Sequence, residues 1–400
     1  MADPRNTRQG DPLPDAPGEE ARSVPYLVLK ALASLWLTVV LLALCIVLVF
    51  VGSLAQIHMD IQTTQKTFFY TWLVLTPSFP IPFPGGFTLG TLLLINLLAA
   101  HVMRFSFRPE RIGLLLTHLG LIVLLVGGLL TALFQVESNL TLNVGETRNY
   151  TESPTEYELA IAWPSKKKGL DHVVAIPQWM VENRDPISYP GLPFTLHIDR
   201  WYENSTLLGP MQANGLKPQA TEGIGAKLVV ERELPGGATD PTNMPSAVVR
   251  VRTLEGKNLG SWLLTSFIPS PQEVQVDGKP YYLTLRHRRF YKPFSIKLLT
   301  FIHKQYHGVD IPKRFESRVQ LIDPARGIDR PQRIYMNHPL RYDGETFYQA
   351  SFANNNRTSI LLVVRNPSWL MPYIGSSIIA LGLAIHFVIS LARFARRSRA

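Results

Sequence analysis

The sequence predicts an α+β membrane protein: four transmembrane helices, with a large, mostly β extracytoplasmic domain between the third and the fourth. Three observations predict it. The apolar residues, 46% of 400, are gathered into long uncharged runs rather than spread at helix or strand periods, which excludes an ordinary soluble enzyme. Between the third and fourth runs the character changes, and β-branched or alternating stretches are separated by Pro and Gly turns. Basic residues collect at particular ends of the runs: Arg104, Arg108 and Arg111 between the second and third, and Arg393, Arg396, Arg397 and Arg399 after the fourth. By the positive-inside tendency those ends are cytoplasmic, so both termini lie inside and the β domain outside.

Residues 1–26, rich in Pro, Gly and mixed charge, read as a disordered cytoplasmic tail. Residues 27–136 hold three spans. The first, Ala31 to Ile57, carries no formal charge, and at about 1.5 Å rise per residue it crosses a hydrocarbon core of about 30 Å. Residues 58–86 contain FFYTWLVLTPSFPIPFPGG. Pro77, Pro80, Pro82 and Pro84 forbid a continuing helix there, and the segment reads as an interfacial amphipathic element on the outer side. Phe87 to Met103 is the second span and Ile112 to Val136 the third, where Gly120, Gly127 and Gly128 would admit a closely packed neighbour. Strands are expected across 137–368, at Thr155 to Ala162, Phe194 to Trp201, Lys227 to Arg232, Ala247 to Arg252 and Ile360 to Val364. The fourth span, 369–392, precedes a basic cytoplasmic tail, 393–400.

The charge of +10 flanks the apolar runs, where it serves topology and contact with lipid, and no nucleic acid is expected as a partner. Cys45, the single cysteine, lies within the first span and reads as a small packing residue. No disulfide, CxxC pair, CxxCH haem attachment site or thiolate zinc site is possible within one chain. Any thiol reductant must be external.

Three spans carry one histidine each: His101, His118 and His386. Ionisable residues in spans are costly, and those that persist face a partner, a cavity or a ligand. His118 is seven residues from Arg111 and His386 seven from Arg393, which predicts matching depths about 10 Å from the cytoplasmic face, with His101 about half as deep. Imidazoles at matching depth on separate helices suit opposite sides of one haem iron; the competing reading is that each caps a neighbouring hydroxyl or carbonyl. Outside the spans, His303 and His307 share one face if their segment is helical, although FSIKLLTFI suits a strand equally. His338, between Asn337 and Pro339, reads as part of a bend, and Tyr335, Tyr342, Phe347 and Tyr348 as cross-strand packing.

The order of these parts resembles the ResB-like membrane proteins of the System II cytochrome c biogenesis pathway. The residues that carry the resemblance are GSLAQ at Gly52 to Gln56, THLGLIVLLVGG at Thr117 to Gly128, PFSIKLLTFIHKQYHGVDIPKRFESRVQLID at Pro293 to Asp323, and YMNHPLRYDGETFYQASF at Tyr335 to Phe352. The resemblance implies a multi-pass protein of the bacterial cytoplasmic membrane that transports or transiently binds haem b. It would act as a non-autonomous subunit of a cytochrome c haem lyase, with apocytochrome c as client. Its seven scattered tryptophans lack a WxWD-type haem-presenting segment, which implies a ResC/CcsA-like membrane partner carrying that segment. The catalytic residues are not named by the resemblance; the cofactor-binding candidates are His118, His386 and His101, with His118 on the haem iron. The alternative is a non-catalytic scaffold that docks apocytochrome or partner, its membrane histidines structural. A solute transporter lacks the repeated span pair it needs.

Overall fold

A computed structural model describes residues 24–59, 61–76, 79–104, 108–167, 169–183, 186–234, 243–268, 270–305, 312–354 and 357–398. Most of the expected disordered tail therefore lies outside the described residues. Its last three positions open a helix, α1 (Val24–Leu32), followed after a short break by α2 (Leu35–Ala55). The break is held by a buried amide on a later helix. Asn96 donates to the carbonyls of Leu32 at 2.6 Å and Ser34 at 3.1 Å, and accepts from the Thr38 hydroxyl at 2.6 Å. The carbonyls orphaned at the end of α1 are thereby satisfied.

The segment expected as an interfacial amphipathic element is part helix and part hairpin. A short α3 (Ile61–Thr64) passes into a π turn, Gln65–Phe69, and then into an antiparallel hairpin of β1 (Leu73–Thr76) and β2 (Phe79–Pro84). Prolines at alternate positions 80, 82 and 84 put their missing N–H groups along one edge of β2, so the strand still pairs on the other. The helices α4 (Gly86–Arg104) and α5 (Ile112–Phe134) follow.

Single-residue spacing separates α5 from the first strand of the large domain. Its elements are β3 (Val136–Asn143), β4 (Thr147–Pro164), β5 (Asp171–Pro177), α6 (Gln178–Asn183), β6 (Phe194–Tyr202), β7 (Ser205–Leu208), β8 (Val229–Arg232), β9 (Ser246–Thr253), β10 (Asn258–Thr265), β11 (Gln272–Val276), β12 (Lys279–Gln305), β13 (Pro312–Asp323), β14 (Ile328–Tyr335), β15 (Leu340–Tyr342), β16 (Glu345–Ala353) and β17 (Thr358–Arg365). All five expected strands are present. The chain ends in α7 (Met371–Arg397), which remains helical through the arginines expected to form a tail. Among the described residues four helices, Leu35–Ala55, Gly86–Met103, Pro109–Phe134 and Met371–Arg397, are long and apolar enough to cross a membrane. The architecture is α+β.

The chain divides into two compact units. One holds the residues up to Val49, Thr71–Gly127 and those from Leu370; the other holds Phe50–Tyr70 and Gly128–Trp369. In the second unit the main sheet runs β14-β13-β12-β4-β3-β17-β16-β15, with β11 on β12 and β5 on β4, beside a three-stranded sheet β10-β9-β6. Every pairing in these sheets is antiparallel.

β12 lines two of the apolar cores of this unit; a smaller third cluster gathers Tyr202, Val230, Val248 and Leu263. Tyr281, Leu283 and Leu285 enter the first, with Leu159, Phe194, Leu196 and Val249; Phe294, Ile296 and Leu298 enter the second, with Leu142, Leu321, Phe347 and Leu361. Buried positions on β12 are odd-numbered in the first half and even-numbered in the second. Side chains alternate along a strand, so the inward face must change parity between them. The register shifts between His287 and Arg289 and between Tyr291 and Ile296 make that change.

Candidate functional site

The spans bring together two of the three predicted histidines. The rings of His101 on α4 and His118 on α5 are 5.5 Å apart between centroids, at an interplanar angle of 63°. Each is aimed by its own helix. His101 Nδ1 lies 3.2 Å from the carbonyl of Leu97 and His118 Nδ1 2.8 Å from that of Leu114, both one turn back. A carbonyl only accepts, so Nδ1 is the donor in each contact, and in the neutral form of either ring Nε2 is then the atom left to ligate a metal, with the orienting hydrogen bond already made. Among the described residues no group of three or more His, Cys, Asp or Glu gathers around one point. The pair offers at most two imidazole donors, the number a haem iron takes from protein side chains.

His386 does not join the pair. A Cβ built at Gly113 would lie 2.5 Å from the His386 backbone nitrogen and 2.7 Å from its Cα, so His386 faces the first turn of α5. Residue 118 is five further along, about 7.5 Å at helical rise. The ring of His386 is exposed. Counting residues from the flanking arginines misplaces it, because α7 continues as helix through Arg397 and its arginines are not a fixed depth marker.

The face of α5 that carries Gly113 belongs to α7. Cβ atoms at Gly113, Gly120 and Gly127 would meet, respectively, the Gly382 carbonyl at 2.7 Å, the Gly375 carbonyl at 2.7 Å and Met371 Cβ at 2.6 Å. The contact repeats every seven residues and runs antiparallel, backbone against backbone. Of the three glycines expected to admit a neighbour, Gly120 and Gly127 do so, Gly128 has nothing within 4 Å, and Gly113 completes the seam. His118 lies about 140° around α5 from Gly113 at 100° per residue, away from the seam.

Asn96 is the polar residue of the spans that sequence reasoning passed over; a lone amide in an apolar run was its signal. Cys45 is a free thiol within α2.

In the strand unit, His303 belongs to β12 rather than to a helix. Its ring stacks on Phe315 at 4.7 Å and 12°, and lies 4.4 Å from Phe352. His307 lies outside the described residues. His338 stacks on Tyr335 at 4.2 Å, its Nδ1 3.2 Å from the Met336 carbonyl, in a turn where Asn337 has φ 61°. The Tyr342 hydroxyl donates to Asp323 at 2.6 Å and holds that carboxyl below the usual range. Phe347 is a core residue, whereas Tyr348 is exposed. The basic run Arg286, Arg288 and Arg289 on β12 is matched by Glu158, Glu156 and Glu152 on β4, at 2.9, 2.7 and 3.0 Å. Each of these charges has an opposite partner on the neighbouring strand.

A sequence profile of the ResB-like family matches residues 272–368, the stretch from β11 through β17 to the approach of α7. Protein NrfI of Wolinella succinogenes is 32% identical over 102 residues, 26% of this chain. The chain spans 11% of the length of that relative. Through this strand segment, residues 272–368, the chain is similar to the ResB-like family, and the segment is joined to helices able to span a membrane.

Proposed function

We propose that this chain is the ResB-like subunit of a complex in the bacterial cytoplasmic membrane that exports or presents haem b and attaches it to apocytochrome c. The ResB-like match over 272–368 is the observation that carries the reading. The similarity to NrfI and the histidine pair support it. His118, in the second turn of α5, would offer Nε2 to the iron, and His101 beside it would serve as second ligand or as the group that holds the site's shape. Haem supplies the vinyl groups across which reduced cysteine thiols of the client add. The work of the chain is positioning, since proximity and orientation are what that addition needs.

Cys45 is the only thiol, so reduction comes from another protein, and the ResC/CcsA-like partner contributes the tryptophan-rich haem segment. The basic connector between α4 and α5 and the arginines in the last turns of α7 orient the strand domain outward. The test is an absorption spectrum of the chain purified from membranes, with and without its partner, beside maturation of a reporter cytochrome c. A haem spectrum lost in His118→Ala and partly restored by exogenous imidazole is expected. Normal haem content and maturation in His118→Ala would leave the scaffold reading in possession.

A further inference from the structure

A cavity of about 490 Å³ in the strand unit lies against the last turn of α5. That volume falls within the range of about 300–1,000 Å³ usual for small-ligand sites. Thr131 supplies the helical wall, Lys66 and Tyr70 come from the π turn and its exit, Glu137 opens β3, and Glu156 and Arg288 face each other on β4 and β12. The π turn presents the lysine. Tyr70 N–H bonds the Gln65 carbonyl at 2.8 Å, and the wider turn buries Phe68 while Lys66 stays exposed on the cavity wall. A Cβ at Gly52 would lie 2.9 Å from Phe69 Cζ, so this turn is pressed directly onto α2.

The charges of the wall select a ligand class. Arg288 spends Nη1 on Glu156 at 2.7 Å and keeps other donors, and Glu137 accepts from Gln135 at 2.6 Å. Lys66 has no ion pair among the described residues. Two cations and two carboxylates therefore line one cavity. A simple anion meets the carboxylates and a simple cation meets Lys66 and Arg288, whereas a zwitterion of phosphate and ammonium satisfies both. Thr131 lies in the last turn of a helix long and apolar enough to span a membrane and Gln135 directly follows it, the level at which lipid headgroups lie. Tyr70 and Phe290 add aromatic wall of the kind favoured at that depth.

We propose that this cavity binds the phosphoethanolamine headgroup of a membrane phospholipid, phosphate toward Lys66 and Arg288, ammonium toward Glu137 and Glu156. The site is independent of the histidine pair. The test uses the full chain in detergent micelles and measures binding of dihexanoyl-phosphatidylethanolamine, dihexanoyl-phosphatidylglycerol and soluble O-phosphoethanolamine by calorimetry. The ethanolamine lipid is expected to bind about tenfold tighter than either comparator, and Lys66→Gln to weaken it about tenfold, the scale of one charge-assisted contact. Glu137→Gln should narrow the gap between the two lipids. Both side chains are exposed, so lipid-free thermal unfolding of either variant should match the parent. Equal or tighter binding of the glycerol lipid, equal binding of O-phosphoethanolamine, or an unchanged Lys66→Gln variant would each overturn the proposal.

Discussion

The helical unit and the strand unit place their polar groups by opposite rules. In the spans the polar side chains turn back onto backbone: Asn96 onto Leu32 and Ser34, His101 onto Leu97, His118 onto Leu114, Thr117 onto Gly113. In the strand domain they pair across neighbours. Glu316, fully buried, accepts from Arg333 at 2.9 and 3.0 Å, and Lys292 pairs with Glu345. The difference follows from the solvent. Apolar surroundings give helices no hydrophobic reason to associate, so α5 and α7 rely on shape, through glycines; the strand cores rely on apolar burial.

The largest effect expected from breaking this contrast is in the strand cores. Phe347→Ala empties a fully buried site in the second core and should cost about 3–5 kcal/mol in denaturant unfolding of the strand domain. Next comes the glycine seam. Gly120→Leu drives a side chain into Ile379 and the Gly375 carbonyl, for a loss of about 1–3 kcal/mol or more, read as reduced thermal stability in detergent. Gly128→Leu, with open space around it, should be near neutral. If the two glycine variants behave alike, shape is not what joins these helices.

A smaller effect sharpens the role of the histidines. His118→Ala should lower bound haem about tenfold or more while the chain stays inserted, the scale expected when a ligand or its support is lost. Because His101 shares the site, His101→Ala should approach the same loss, and His386→Ala should leave haem content near normal. Haem loss in His386→Ala equal to that in His118→Ala would return the site to the α5 and α7 pair.

The smallest effect is a pH dependence confined to the strand domain. Burial pushes the His287 imidazole down, with Glu152 opposing, and the ring stacks on Tyr157 at 4.4 Å. The unfolded chain then binds the extra proton first. Stability is fully present above the unfolded value of about 6.5 and is lost as pH falls from there toward the lowered folded value. Denaturant midpoints at mildly acidic and neutral pH should separate for the parent and converge for His287→Gln.

All four spans and the five named strands were legible because long uncharged runs and period-two alternation are one-dimensional signals. The histidine partnership was not. Depth counted from arginines ignores the reach of the side chain, several ångströms along a helix, and facing direction depends on which neighbour a helix packs against. The seam that turns one face of α5 to α7 was half visible in Gly120 and Gly127, while Gly113, at the start of the span, was not singled out. The hairpin of β1 and β2 was hidden because the prolines, read only as barring a spanning helix, gave an interfacial amphipathic element and no strand pairing.

The parity change along β12 also sets how the domain comes apart. One strand, Lys279–Gln305, is a wall of both cores, so neither core can melt without stripping the other of a side. Amide protons on the two halves should therefore exchange through one shared opening rather than two. A residue inserted between Arg289 and Tyr291 would invert every later side chain of the strand and leave every earlier one in place. Length in that stretch is consequently less tolerant of change than identity, which is the reverse of what surface loops allow.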